Sequence, residues 1–144
     1  MSDLAKLNAI PRGVEKEEVV GTYDFDIHGG AIDTAGITIS RFFGINPGEA
    51  IRVAKIFVAA ACTSDGSATV SLGTEATDPD NILDDTAVAS LTLKALIDGV
   101  PVPQTASTWI INTGTTFLPI KAQVKTAALT AGKIDVYAEI AKLY

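Results

Sequence analysis

Apolar and polar residues alternate in short segments along most of this chain, and residues that favour turns separate the segments. The last segment is the clearest case, because Ile134, Val136, Ala138 and Ile140 occupy every second position. Successive side chains of a β-strand point to opposite faces, so a period of two places one apolar face on a core. The pattern therefore predicts a chain made mainly of half-buried strands.

We predict seven or eight strands, and the segments with this pattern span residues 19–27, 36–43, 50–62, 68–74, 107–112, 117–125 and 134–144. The core-facing side chains predicted for the first and third segments are Tyr23, Phe25, Ile27, Ile51, Val53, Ile56 and Val58. Because the alternation in the third segment is irregular, we expect a β-bulge near Lys55. The turn signal Ser64-Asp65-Gly66-Ser67 predicts a hairpin between the third and fourth segments.

Residues 82–97 depart from the alternation. Their apolar side chains recur at helical spacing, at positions 88, 91, 95 and 96, and Ala and Leu favour helices. We predict one short helical segment there, with Asp84 or Asp85 as its N-terminal cap. Pro101 and Pro103 follow, and they predict an extended loop or edge segment because proline is excluded from central strands.

Strand count and spacing set the predicted fold class. Short turns and one long connection, near residues 75–106, are typical of sandwiches whose strands cross between two sheets. We predict an all-β fold, namely an antiparallel β-sandwich that is jelly-roll-like and has one short helical segment. Residues 17–144 form a single β-sandwich domain and residues 1–16 an N-terminal arm.

The arm has its own pattern. Leu4, Leu7 and Ile10 have the spacing of a short amphipathic helix, which Pro11 and Arg12 interrupt. Ten residues do not hold a helix alone in water, so the arm orders only against a surface. A frayed terminus is the alternative.

The charge balance argues against two classes of partner. The 144 residues carry a net charge of −6, whereas proteins that bind nucleic acid or anionic membranes present clusters of basic residues. Charged residues make up 19% of the chain, below the usual quarter, which favours a surface partly covered by a protein partner. The first residues do not resemble a signal peptide, so we expect synthesis and assembly in a cytoplasm.

The sequence offers few residues for nucleophilic catalysis or for binding a metal ion. The chain has one histidine, His28, and one cysteine, Cys62, which cannot supply the ligands of a usual zinc site or an internal disulfide. Cys62 lies in an apolar run and is predicted to be a small buried side chain. His28, at a strand end before two glycines, is predicted to be structural or solvent-facing. We therefore predict that the protein is not an enzyme and uses no cofactor.

Two groups of carboxylates allow alternatives. Asp24 and Asp26 share a predicted strand face, and paired carboxylates can hydrolyse glycosides, although an exposed strand gives the same pattern for solubility alone. The 78–85 segment contains four aspartates, and oxygen-rich loops can bind calcium. It lacks the glycine and terminal glutamate of an EF-hand loop, and a solvated loop explains it better. Calcium binding there stays open.

Several phrases of the sequence resemble one class of viral protein. They are Tyr23-Asp24-Phe25 with Gly29-Gly30-Ala31, the run from Thr63 to Thr74, the run from Asp85 to Leu91 and the run from Leu129 to Glu139. With these phrases, residues 20–144 are similar to small β-sandwich virion proteins of tailed bacteriophages, in particular to capsid decoration (cement) proteins.

The resemblance implies a structural virion protein that binds the outer surface of a phage capsid and stabilises it. It further implies a homo-oligomer, with a trimer as the expected form, whose partners are the major capsid protein and its own copies. The implied location is the virion surface. The capsid-contacting arm would contain Leu4, Leu7, Ile10, Pro11 and Arg12.

A binding module is the alternative function from a different class. It would be a carbohydrate- or receptor-binding part of a phage tail or fibre, with an exposed pocket near His28, Trp109 and the 75–85 loop. Since Trp109 lies in an apolar segment, burial is its default expectation.

Overall fold

The computed structural model describes the backbone of residues 14–101 and 106–143 and the side chains of residues 17–101 and 107–143. Its strands are β1 (Val14–Asp24), β2 (Ile37–Thr38), β3 (Gly44–Ile45), β4 (Glu49–Ser64), β5 (Thr69–Gly73), β6 (Leu83–Ala87), β7 (Leu96–Asp98), β8 (Ile110–Ile111), β9 (Leu118–Pro119), β10 (Lys121–Lys125) and β11 (Leu129–Leu143). A one-turn helix, α1 (Phe25–His28), and two 3₁₀ turns (Val88–Ser90 and Ala106–Thr108) are also present. Within these described ranges no helix has the length and apolar character needed to span a bilayer.

The strands form two antiparallel sheets with jelly-roll topology. The first sheet has the order β1-β11-β4-β7, with β8 also on β4, and the second has the order β2-β10-β5-β6. The pairing is nested along the chain: β1 pairs with β11, β2 with β10, β4 with β7 and β5 with β6. This nesting is what results when one long hairpin rolls up into a sandwich, which is the jelly roll. The predicted all-β, jelly-roll-like sandwich is confirmed.

The core lies between the two sheets. The first sheet contributes Ile56 and Val136 and the second contributes Leu72 and Val124, all of them buried in one hydrophobic cluster. A short third sheet, β3 with β9, closes one end of the sandwich and adds Ile45 to the cluster. Burial of these apolar faces is the main stabilising contribution, at roughly 25 cal/mol per Å².

The predicted hairpin at residues 64–67 is wrong in its pairing. The chain does reverse there, and the Gly66 amide donates to Ser64 Oγ at 3.1 Å. However, β4 pairs with β11, β7 and β8, whereas β5 pairs with β10 and β6. The turn therefore carries the chain from one sheet to the other. A turn signal specifies where the chain reverses, and the longer partner strands decide what each strand pairs with.

The first predicted strand ends earlier than its alternation indicates. Tyr23 is buried as predicted, and its hydroxyl donates to the carbonyl of Gly29 at 2.5 Å. Asp24 then caps α1, because its carboxylate accepts from the backbone amide of Asp26 at 3.0 Å. As a result Ile27 leaves the strand phase and is 77% exposed, so its predicted core position is wrong.

The bulges in β4 lie on either side of Lys55 rather than at it. The register with β11 shifts between the pairs Val53–Glu139 and Ile51–Ile140, which leaves Arg52 as an extra residue. A second shift lies on the other side of Lys55, near Val58. Ile51, Ile56 and Val58 are buried as predicted. The shift at Arg52 resets the alternation, so Val53 lies on the outer face and its predicted inward position is wrong.

The helix predicted within residues 82–97 is also wrong, apart from the single 3₁₀ turn Val88–Ser90. Asp84 and Asp85 lie in β6 instead of capping a helix. Pairing of β6 with β5 and of β7 with β4 overrides the helix propensity of Ala and Leu, which amounts to only a few tenths of a kcal/mol per residue. Leu91 is buried but Leu96 is 70% exposed, so the two do not share a face.

The N-terminal boundary lies within the range assigned to the arm. β1 begins at Val14, and residues 14–16 pair with residues 141–143 of β11. The predicted arm residues Leu4, Leu7, Ile10, Pro11 and Arg12 lie outside the described residues.

Two matched substitutions test the structure of the 82–97 segment. Leu91→Ala should lower the free energy of unfolding by about 2–5 kcal/mol because it leaves a cavity in the core. Leu96→Ala removes an exposed side chain and should change it by less than about 0.5 kcal/mol. Urea unfolding followed by circular dichroism measures both. Equal costs for the two would contradict the extended structure and would favour a helix that buries both leucines.

Candidate functional site

His28 is held by the backbone around it. Its Nδ1 accepts from the amide of Asp24 at 3.0 Å, and Nε2 donates to the carbonyl of Ile39 at 2.9 Å. The imidazole also stacks on the ring of Tyr23, with the centroids 5.6 Å apart. With both nitrogens engaged, His28 ties α1 to the segment after β2. This is the structural role that the sequence predicts, and it leaves no ring nitrogen to act as a base.

Cys62 is a buried core residue, as predicted. Burial raises the pKa of its thiol to about 11, so the nucleophilic thiolate is scarce at neutral pH. The backbone of β11 is close to the sulfur, since a Cβ on Gly132 would lie 2.6 Å from Sγ. Gly132 also has a φ of 148°, which favours glycine. This position therefore needs glycine beside Cys62.

The acidic 78–85 segment surrounds a lysine. Lys125 Nζ forms ion pairs with Asp78 and with Asp85, the latter at 2.8 Å. The hydrogen bond from Lys125 lowers the pKa of Asp85, and the bonds to both aspartates raise the pKa of Lys125. Among the described residues no group of three or more His, Cys, Asp or Glu side chains is arranged to hold a metal ion. The two aspartate carboxylates that meet here bind an ammonium group.

A second carboxylate contact organises the same loop. Glu75 Oε1 accepts from the backbone amides of Asp80 and Asn81 at 3.1 and 3.0 Å. Asn81 in turn accepts from the Thr74 amide at 2.9 Å. Hydrogen bonding with Glu75 raises the pKa of Asp80. These bonds hold residues 74–81 as a fixed turn.

Loops cover the outer face of the second sheet. The buried side chain of Gln123, on β10, donates to the carbonyls of Asp33 and Thr34. Opposite it on β5, the buried Ser71 donates to Asp85 at 3.0 Å. The amide of Asp78 donates to the carbonyl of Thr34, which joins the two covering loops. These two loops therefore cover part of this face.

None of the residues that the structure describes covers the central rows of the outer face of the first sheet in this way, and we call this surface the open face. Its rows follow from the strand register, and its residues are Glu18, Val20 and Thr22 of β1, Asp135, Tyr137 and Glu139 of β11, Val53, Lys55 and Phe57 of β4, and Leu96 and Asp98 of β7. Val20 is 52% exposed and Leu96 70% exposed. Val20 and Leu96 lie on the two edge strands of this sheet, with the half-buried Val53, Phe57 and Tyr137 on the strands between them.

The open face combines apolar and acidic groups. Glu18 lies directly opposite Glu139 in the β1–β11 register, and like charges in that position are destabilising. Arg52 Nε donates to Glu139 at 3.0 Å, whereas Glu18 has no ion pair with any described residue. The next row contains the Lys55–Asp98 pair, at 2.5 Å. Within the described ranges, Glu18 and Asp135 are the acidic groups of this face without a basic partner, and Asp135 accepts a hydrogen bond from the Thr22 hydroxyl at 2.7 Å.

A shallow depression lies in the open face. It is lined by Glu18, Val53, Lys55, Tyr137, Ala138 and Glu139 and has a volume of about 160 Å³. Small-molecule sites usually enclose ~300–1,000 Å³, so the depression fits one or two side chains of a protein segment.

Trp109 borders the open face without forming an exposed platform. The Arg52 guanidinium lies 5.9 Å from its ring centroid. The side chain is half-buried, and its buried Nε1 has no hydrogen-bond acceptor among residues 14–101 and 106–143. Because Trp109 contacts the first sheet while the 74–81 loop covers the second, the structure does not bring these two parts of the predicted pocket together.

The sequence predicts the outward orientation of some residues of the open face but not of others. Val20 is out of phase with the buried Tyr23, so alternation along β1 places it outward. Alternation does not predict the exposure of Leu96, because that exposure depends on the pairing of β7 with β4.

Comparisons with known proteins identify similar folds. No protein-family model matches this chain, and no curated protein matches it. A chain in the capsid asymmetric unit of cyanophage Pam1 superimposes with a TM-score of 0.57 at 16% sequence identity, over 92% of this chain and 88% of that one. A chain in the acidic stable capsid structure of Helicobacter pylori bacteriophage KHP30 gives a TM-score of 0.52, also at 16% identity, over 88% of this chain and 93% of that one. At this identity the likeness establishes a shared fold.

The Lys125 contacts predict a pH-dependent contribution to stability. Lys125→Met should lower the free energy of unfolding by about 1 kcal/mol at pH 7, since the side chains are partly exposed and screened by solvent. The pKa of Asp85 is lower in the folded protein than the ~3.9 of an unfolded chain. Its contribution is therefore present above pH ~4 and is lost as the pH falls through the folded value.

Urea unfolding of wild type and variant at pH 7 and at pH 2.5 measures this effect. Lys133→Met is the matched control, because the exposed Lys133 side chain has its Nζ 4.0 Å from the Asp24 carboxylate. The Lys125→Met difference should be smaller at the lower pH, and the control should show little difference at either. A Lys125→Met cost that is the same at both pH values would contradict the ion-pair assignment.

Proposed function

We propose that this chain is a structural virion protein that binds the outer surface of a phage capsid and stabilises it. The observation that carries the proposal is the likeness in fold, over about nine-tenths of the chain, to chains of two phage capsid structures. Jelly rolls recur in viral capsid proteins, although the fold alone does not specify a function. The residues described above add the physical support.

The chemistry-bearing side chains favour a binding role over catalysis. His28 has both ring nitrogens bonded to backbone, Cys62 is buried, and Asp78 and Asp85 pair with Lys125. The open face, by contrast, exposes Val20 and Leu96 to solvent. A protein whose polar groups are engaged internally and whose sheet face is left bare is suited to protein contacts.

The arm is the second element of the proposed contact. Residues 1–13 precede β1, and Leu4, Leu7, Ile10, Pro11 and Arg12 would contact the major capsid protein. Ordering such a segment costs conformational entropy, which contacts on the capsid must offset. The body would associate with its own copies as a homo-oligomer, with a trimer as the expected form, and the complex would lie on the capsid surface.

No observation favours the alternative of a carbohydrate- or receptor-binding module. Trp109 is half-buried beneath Arg52, the 74–81 loop covers the second sheet, and both ring nitrogens of His28 are bonded to backbone. The depression on the open face is too small for a sugar ring with its neighbours.

Co-sedimentation with capsids from a phage mutant lacking this protein tests the proposal. The full chain should bind at micromolar concentration or better, and a variant that begins at residue 14 should bind at least tenfold more weakly while its circular dichroism is unchanged. Replacing Leu4, Leu7 and Ile10 with Ala should have a similar effect. Ser2→Ala with Asn8→Ala, on the polar side of the predicted helix, is the matched control.

The outcomes separate the parts of the proposal. Equal binding of the full and truncated chains would refute the role of the arm, and no binding by the full chain would refute capsid decoration itself. Sedimentation equilibrium of the free protein tests the oligomer, for which a single trimer species is expected.

A further inference from the structure

The exposed apolar side chains of the open face lie at its two edges. Val20 belongs to β1 and Leu96 to β7, and these are the outermost strands in the order β1-β11-β4-β7. An edge strand is a template for pairing with another chain. Exposed apolar side chains at both edges of one sheet therefore favour a contact that is made sideways, strand against strand.

The free edge of β1 presents the backbone of its even-numbered residues. The amide of Asp24 is level with Lys133 of β11 but donates to His28 Nδ1, at 3.0 Å. Backbone groups alternate in direction along an antiparallel strand, so the N–H and C=O groups of Val20 and Thr22 also point away from β11. Within the described residues β11 is the strand that pairs with β1, and these groups remain available to a strand from another chain.

The free edge of β7 presents even-numbered residues as well. The amide of Gly99, just after β7, donates to the carbonyl of Ala54 on β4 at 3.0 Å. By the same alternation the N–H and C=O groups of Leu96 and Asp98 point away from β4. Among the described strands, β4 is the one that pairs with β7, so the outer edge of β7 is available too.

The order of the sheet lets these two edges pair with each other in the antiparallel sense. Four antiparallel strands cross the sheet from β1 to β7, so β1 and β7 run in opposite directions. A second copy placed beside the first in the same orientation brings its β1 antiparallel to β7 of the first. Head-to-tail pairing of identical copies therefore continues the sheet without a change in its pattern.

The register within one chain indicates the register across such a junction. Two rows cross the sheet, namely Val20–Tyr137–Lys55–Asp98 and Thr22–Asp135–Phe57–Leu96. If the rows continue straight, Val20 of the next copy lies opposite Asp98, and Thr22 of the next copy lies opposite Leu96. Because all four residues have outward backbone groups, each of the two pairs exchanges two hydrogen bonds.

The side chains suit this register. Val20 of the next copy would lie diagonally from Leu96, within reach of its side chain, so the two exposed apolar groups would meet. A shift of two residues would instead place Glu18 opposite Asp98, and like charges directly opposite each other are destabilising. Both the apolar contact and the charges therefore favour the straight rows.

We propose that copies of this chain associate head to tail, with the outer edge of β7 paired to the outer edge of β1 of the next copy and with Val20 opposite Asp98. The contact joins two different edges, which a ring of three copies requires, whereas the pairing of one edge with itself ends at a dimer. The inference rests on the homo-oligomer of the proposed function and names the surface that forms it.

Disulfide trapping between two single-cysteine variants of the full chain tests this contact. Val20→Cys and Asp98→Cys are prepared separately, mixed at micromolar concentration and oxidised. The mixture should give a covalent dimer, because the Cα atoms of an antiparallel hydrogen-bonded pair are about 5.5 Å apart, within the range of a disulfide. Each variant oxidised alone should give at least tenfold less dimer. Cys62 stays in place, where its burial keeps it unreactive.

A mixture of Glu18→Cys with Asp98→Cys is the matched control for the register. Glu18 lies on the same strand and face as Val20, two residues or about 7 Å away, so this mixture should form its dimer at least tenfold more slowly. Non-reducing electrophoresis measures the dimer, and peptide mass analysis identifies the linked cysteines.

Each contrary outcome overturns a stated part of the proposal. The absence of a dimer in the first mixture would refute the contact, and equal rates for the two mixtures would refute the register. Dimers of Val20→Cys alone, formed as fast as in the mixture, would show that β1 pairs with itself. Capsid co-sedimentation is measured separately, so failed trapping with intact capsid binding refutes the edge contact alone, and the reverse result refutes capsid decoration alone.

A substitution at Leu96 tests the apolar part of the contact. Adding Leu96→Asp to the Asp98→Cys chain removes the side chain that would meet Val20 and should slow trapping with Val20→Cys at least fivefold. Ile32→Asp in the same chain is the control, because Ile32 is also exposed but lies in the 30–36 loop over the second sheet. Equal rates for the two variants would overturn the role of Leu96.

Discussion

The pairing of β4 with β11 is the constraint on which the rest of the structure depends. These two strands share twelve paired positions in the middle of the first sheet, and β1, β7 and β8 are positioned by adding to them. Their inner faces supply much of the core, including Ile56 and Val136. The bulge at Arg52 changes which face of β4 is apolar. It therefore sets Val53 outward and helps to form the depression on the open face.

The sandwich closes one of its faces and leaves the other available. On the second sheet, the buried Gln123 amide nitrogen donates to the loop carbonyl of Asp33, and the buried Ser71 hydroxyl donates to Asp85 of β6. The open face instead exposes apolar side chains such as Val20 and Leu96, and contact with another protein would bury their apolar surface favourably. The two outer faces of the sandwich therefore differ, since loops of the chain cover part of one and the described residues leave the other exposed.

Groups that elsewhere perform chemistry here hold the chain in place. His28 joins α1 to the segment after β2, Cys62 fills core space beside Gly132, and Lys125 gathers two aspartates of the 78–85 segment. Each of these contacts joins elements that are distant in sequence and adjacent in space.

The sequence by itself determined that the chain is all-β and that Ile134, Val136 and Ile140 face the core, because alternation is a local property that each strand carries. It also predicted a buried Cys62 and a structural His28, since one cysteine and one histidine cannot form a disulfide or a usual zinc site. Only the tertiary structure decided that β4 and β5 lie in different sheets, that Leu91 is buried while Leu96 is exposed, and that Ile27 leaves the strand. Each of these depends on which strand lies next to which, and partner choice is a non-local property set by the competition among all strands for the longest pairing and the most complete burial. The open face belongs to the second group, because its exposure depends on where the other described strands and loops pack.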